Sequence, residues 1–283
     1  MDRNTRRNRP ENSARDSGRS TRFTDVPREL MDNVARGVAS DDPVEAANNL
    51  TNLRLASRSV RSDLEGGSAG QFHSRLNRLG ESAQRVYSAA MPPPGNALIS
   101  DPFNSRYCPV GPVLKFQTAA MKSAAVDRIL GMTDRTSQSL ALSNIADNIG
   151  DLSSADRTRI LDRTVDLLTQ GPNAAEHNVN YVTALKKGQD YLNEGQRERL
   201  DAFPLYGMLH DALGEPAGRA GQPQNSDLDR RIDAIEARAQ QLPGEWSYYQ
   251  QNTVAETGED IHDAYNSARA ELMDSDRSRD WTR

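Results

Sequence analysis

The chain has 283 residues, a net charge of -5, a mean hydropathy of -0.77 and only 5% aromatic residues. Apolar surface is scarce for that length, which argues against a single tight globule and predicts a modest helical core with flanking segments that bury too little to offset their ordering entropy. The acidic balance gives no case for nucleic-acid binding by the whole chain, no run approaches the roughly 18 apolar residues of a membrane span, and the lone Cys108 supports neither an internal disulfide nor a cysteine-rich zinc site.

Residues 1–22 hold seven arginines, three acids and no apolar cluster, the pattern of a disordered tail. From Phe23 the pattern turns helical. Asp25 is a candidate N-cap, Pro27 stands where a missing N–H is harmless, and Val26, Leu30, Val34 and Val38 recur at spacings of four. A second start follows at Asp42-Pro43, with Val44, Ala47 and Leu50 in register, then Leu53, Leu55, Val60 and Leu64 before "EGGSAG". Residues 23–66 therefore read as three short helices, a unit whose apolar positions meet either a partner or the next domain.

A fourth helix covers 71–90, with Phe72, Leu76, Leu79, Ala83 and Val86 on one face. Six prolines between Met91 and Pro112 make 91–113 a linker or ordered loop. Residues 114–213 form successive amphipathic helices, with stripes at Leu142, Ile145, Ala146 and Ile149 and at Ile160, Leu161, Val165 and Leu168. Start signals pair Ser153 with Asp156, Asn173 with Glu176 and Asn193 with Gln196. Laying "LSSADRTRIL" over "LNEGQRERLD" gives an offset of 40 residues, the period of stacked helical hairpins. Residues 214–226 are a second linker, 227–272 the C-terminal helices, and 273–283 a polar tail. The predicted fold is all-α.

Catalytic patterns are missing. His73, His177, His210 and His262 are scattered, and the His210-Asp211 dipeptide lacks the companions of a metal phosphohydrolase. Gly66, Gly67 and Gly70 come without a phosphate-loop lysine, and the abundant carboxylates fit solvated helix faces. The expectation is a protein without enzymatic activity, cofactor or metal, and without direct contact to nucleic acid or membrane. A nucleophile, base and orienting group brought together only in space would be the contrary case.

Two stretches carry a resemblance. Val26-Pro27-Arg28-Glu29-Leu30 resembles the opening of an F-box, and Leu53-Arg54-Leu55-Ala56-Ser57-Arg58-Ser59-Val60-Arg61 resembles its closing helix, with Val26 in place of leucine and no tryptophan near position 60. Residues 23–90 and 255–283 are further similar to the VirF family of host-range virulence effectors that Agrobacterium-type bacteria send into plant cells. That resemblance implies delivery through a type IV channel by way of its coupling protein, and work in the host cytoplasm and nucleus. There the chain would be an F-box subunit of a Skp-cullin ubiquitin ligase, directing transferred-DNA-associated and host proteins to the proteasome. It further implies that Val26, Pro27, Leu30, Val34, Leu50, Leu53 and Val60 contact the plant Skp adaptor, that 114–213 recruits protein substrates, and that Arg269, Arg277, Arg279 and Arg283 form the secretion signal. Spaced arginines suit pairing with receptor carboxylates.

Among the 35 basic residues only Lys115, Lys122, Lys186 and Lys187 are lysine. Arginine and lysine serve equally on most solvated surfaces, so codon preference accounts for this; so does a ligase subunit that slows its own turnover by carrying few acceptor amines. The alternative to the ligase reading is an all-helical interaction scaffold in which the N-terminal stripes are buried against residues 72–90.

Overall fold

The structure is a computed structural model, and it describes residues 28–56, 58–65, 67–90, 108, 110–170, 175–213, 227–242 and 250–274. These are all-α, with no strand among them. The front of the molecule comprises α1 (Arg28–Val38), α2 (Pro43–Leu55), α3 (Arg58–Glu65) and α4 (Ser68–Ala90). The middle holds α5 (Ala119–Leu130), α6 (Arg135–Ile145), α7 (Ser154–Gln170), α8 (Ala175–Lys187), α9 (Glu194–Asp201) and α10 (Pro204–Ala212). The chain ends in α11 (Leu228–Gln241) and α12 (Gln251–Asp274).

The start of α2 follows from its residues. Asp42 is extended, its carboxylate accepts from the N–H groups of Val44 and Glu45 at 2.8 and 3.1 Å, and Pro43 occupies the first helical position, where no donor is lost. The elbow from α3 into α4 depends on Gly70. A Cβ there would lie 2.3 Å from the carbonyl oxygen of Leu64, so only glycine lets α4 begin so close to the end of α3.

In the middle, each helix packs on the one two places along the chain: α5 on α7 on α9 in one layer, α6 on α8 on α10 in the other. The period of 40 residues is structural. Asp156 N–H donates to Ser153 Oγ at the start of α7, and Gln196 N–H donates to Asn193 Oδ1 at the start of α9, where a full capping box forms. The third residue after each cap then reaches the preceding layer member: Asp156 accepts from Ser123, and Gln196 donates to Asp162. Three residues further on, Arg159 pairs with Asp127 at 2.5 Å and Arg199 with Asp166 at 2.6 Å. Ile160 and Leu200, next in sequence, are both buried. These are two copies of one hairpin contact, the mark of a short solenoid.

The prolines before α5 do not keep the whole 91–113 segment open. Gly111–Phe116 is a buried 3-10 turn with Pro112 in its first turn, where the missing N–H is tolerated. Val113 and Leu114 are fully buried, and the turn touches α2, α4, α12 and the 3-10 segment Ala146–Asp151 that ends α6. That plug joins the front to the solenoid.

The C-terminal helices close on the front, with α11 and α12 both packing along α4 and on each other. Arg75 on α4 holds Asp229 of α11 at 2.8 Å and Glu271 of α12 at 2.5 Å, while Arg78 holds Asp233 and Glu236 of α11. Buried apolar residues form one continuous cluster from Ala35 to Leu272, a larger core than composition predicts. Alanine explains it: Ala35, Ala46, Ala83, Ala125, Ala141 and Ala264 are all fully buried, which brings helices close with few aromatic rings. Replacing Arg75 with alanine strands two carboxylates beside each other and is expected to cost about 1–3 kcal/mol in urea unfolding, whereas Arg230→Ala, which removes an exposed pair with Asp227, costs less than about 1 kcal/mol.

Candidate interaction surface

The surface singled out by the sequence lies on α1 to α3. Val26 and Pro27 fall outside the described residues; Leu30 lies in α1, with its side chain likewise outside the description. Val34 and Leu53 are half-buried, and Leu53 packs against the core. Leu50 and Val60 are each only 1% exposed, inside the same cluster as Phe72, Leu76 and Leu79 of α4. Those two side chains are engaged within the chain.

Leu55, the last residue of α2, is 76% exposed. It was not among the expected contact residues. Two positions on a helix differ by about 200° of rotation, so Leu55 faces away from Leu53, and a helical wheel built on Ala46, Leu50 and Leu53 would have found it. Beside it, Arg54 pairs with Glu65 at 2.6 Å and Arg61 pairs with the same carboxylate at 2.9 Å. Arg61, then Arg54, hold the Glu65 carboxyl below its usual range. The result is an apolar side chain at the edge of a small, charged helical corner.

Under this corner sits His73. It is buried; its ring nitrogens lie 3.1 Å from Thr51 Oγ1 and 3.2 Å from an Arg54 guanidinium nitrogen. Burial and the neighbouring Arg54 charge lower its pKa, which disfavours the charged ring between α2 and α4.

Arg269, expected in the secretion signal, lies within α12 and pairs with Asp41 in the turn between α1 and α2. Arg277, Arg279 and Arg283 lie outside the described residues. Nearby, Tyr265 donates its hydroxyl to the Asp41 carbonyl at 3.2 Å, and Arg36 donates to the Leu272 carbonyl at 3.0 Å. The end of α12 is thus tied to the first inter-helix turn.

A cleft of about 400 Å³ opens between that turn and the solenoid, lined by Ser40, Asp41, Asp42, Lys122, Asp151 and Asp156 among others. Lys122 crosses it to Asp42 at 2.7 Å. Burial raises the Asp151 carboxyl, against the pull of Lys115 and Lys122. Among the described residues no group of three or more His, Cys, Asp or Glu could hold a metal ion, and no helix is long and apolar enough to cross a membrane. His210 Nδ1 lies 3.6 Å from Asp211, its neighbour in sequence, and the pair is at the outer end of α10, away from the cleft-lining residues.

A scan of protein-family models, a search of curated proteins and a search of solved structures each return no match.

Because burial, then Arg54, lowers the His73 pKa on folding, the unfolded chain binds more protons than the folded one as pH falls through the ordinary histidine pKa of about 6.5, so stability falls as pH drops through that value. Urea unfolding between pH 8 and pH 5 should show this fall, and His73→Gln should flatten it.

Proposed function

We propose that this chain acts through binding and not through catalysis, as an F-box-type adaptor that couples a plant Skp-cullin ubiquitin ligase to protein substrates. In this reading a type IV system delivers it from a bacterium into the host cell, where it works in cytoplasm and nucleus on transferred-DNA-associated and host proteins. Its strongest support is Leu55, a large apolar side chain left 76% exposed at the end of the second of three short front helices. Val34 keeps a half-buried side chain on the same three-helix unit, while Leu53 packs on the core and Leu50 and Val60 lie within it. A few apolar anchors at the centre of such a face dominate its binding energy.

The layered helices α5 to α10 are the substrate-recruiting surface in this proposal, with Met208 of α10 as its most exposed apolar side chain. The secretion signal rests on Arg277, Arg279 and Arg283, since Arg269 is committed to Asp41.

The burial of Leu50 and Val60 favours a second reading, in which α1 to α3 serve only to cap the helical core and bind no ligase. Co-expression with a plant Skp adaptor and size-exclusion chromatography separates the two. On the adaptor reading the proteins co-elute, and Leu55→Asp weakens binding by about 2 kcal/mol, roughly thirtyfold, without moving the thermal midpoint. Failure of the wild-type chain to co-elute with any Skp adaptor leaves the scaffold.

A further inference from the structure

The four lysines share a property that composition does not reveal. Lys115, Lys122 and Lys186 are 5%, 6% and 8% exposed, and the side chain of Lys187 is 24% exposed. Every ammonium group is engaged. Lys115 donates to Asn266 Oδ1 at 3.3 Å and sits 4.3 Å from the ring centroid of Tyr265. Lys122 pairs with Asp42 across the cleft. Lys186 donates to the carbonyl of His210 at 3.1 Å, tying α8 to α10. Lys187 donates to the carbonyl of Ser143 at 3.3 Å and pairs with Asp147 at 2.8 Å, tying α8 to the end of α6.

Each lysine therefore bridges two elements at a joint, where a compact ammonium does what a planar guanidinium fork would do differently. Lysine is ordinarily among the residues least often buried, so this distribution is inverted. A codon preference replaces lysine by arginine without regard to burial and would leave the survivors mostly outside. Here the outside is arginine: the side chains of Arg61 and Arg230 are 61% and 84% exposed, and Arg58 and Arg85 are exposed as well. Lysine persists only where its amine is used internally.

We infer that the folded surface is kept free of lysine so that no side-chain amine is offered to acyl-transfer enzymes, above all to the ubiquitin thioesters carried by the ligase proposed above. The identity of the acyl donor rests on that reading; the shielding does not. Transfer requires a neutral Nζ to attack the thioester carbonyl: the C–N bond forms, the C–S bond breaks, the amine proton passes to a base and the thiolate leaves. Burial lowers the Lys115 pKa to about 8, which raises its neutral fraction above that of a solvated lysine, yet its amine is packed against Tyr265. Reach, not reactivity, protects it.

Two measurements test this on the full chain. With the N-hydroxysuccinimide ester of acetic acid at pH 8, mass spectrometry should find the α-amino group acetylated first and all four lysines more than about tenfold slower, catching up only in urea. Lysines that react as fast as the α-amine would overturn the inference. In plant-cell extract with tagged ubiquitin, an Arg85→Lys/Arg230→Lys variant should gain ubiquitin conjugates and turn over faster than wild type, at an unchanged thermal midpoint. An unchanged half-life also overturns it. Faster loss of the variant in a chain that does not co-elute with Skp keeps the shielding and removes only the ligase reading.

Discussion

Phe72 of α4, Phe116 of the 3-10 plug and Tyr265 of α12 meet at one point, with Tyr265 centroids 6.4 Å from Phe72 and 5.5 Å from Phe116, the latter edge-on. In a chain so poor in aromatic rings, this cluster is where the three parts of the molecule come together. Burial raises the Tyr265 phenol to about 12, so it remains a hydrogen-bond donor to Asp41 at any physiological pH. Lys115 covers the same ring and Arg75 clamps α11 and α12 onto α4 a turn away. The front helices owe their second wall to this contact. Without α12, the buried faces of α4 would have no partner on that side.

How much of this was legible depends on the range of the interaction. The helices, their caps at Ser153 and Asn193 and the offset of 40 residues were readable, because caps and apolar stripes are local and the repeat writes the same contact twice. The return of α12 to α4 was not, since Arg75 and Glu271 are joined by geometry across most of the chain and both look like ordinary solvated charges in sequence. The same holds at the candidate surface. Leu50 and Val60 have the spacing of interface residues and of core residues alike, and only the position of α4 decides between them. The 3-10 plug was hidden by proline, which marks where a regular helix fails without saying whether the irregular segment is inside or out.

Charge divides the structure in a consistent way. Arginine works on exposed faces and along helix seams, where its fork can hold two carboxylates at once, as Arg75, Arg78 and Arg159 do. Lysine works at the joints. This division helps a chain of such low mean hydropathy hold a continuous core, because much of its charge is paired along the seams between neighbouring elements.

The strap from Tyr265 and Arg269 to Asp41 has a consequence for synthesis on the ribosome. Helices α1 to α3 must wait for α12 before the contact at Asp41 can form, so the nascent chain carries an unfinished front while the whole solenoid is being made. Such long-range closure sets a slow, late folding step that the solenoid, built from neighbours, can complete without.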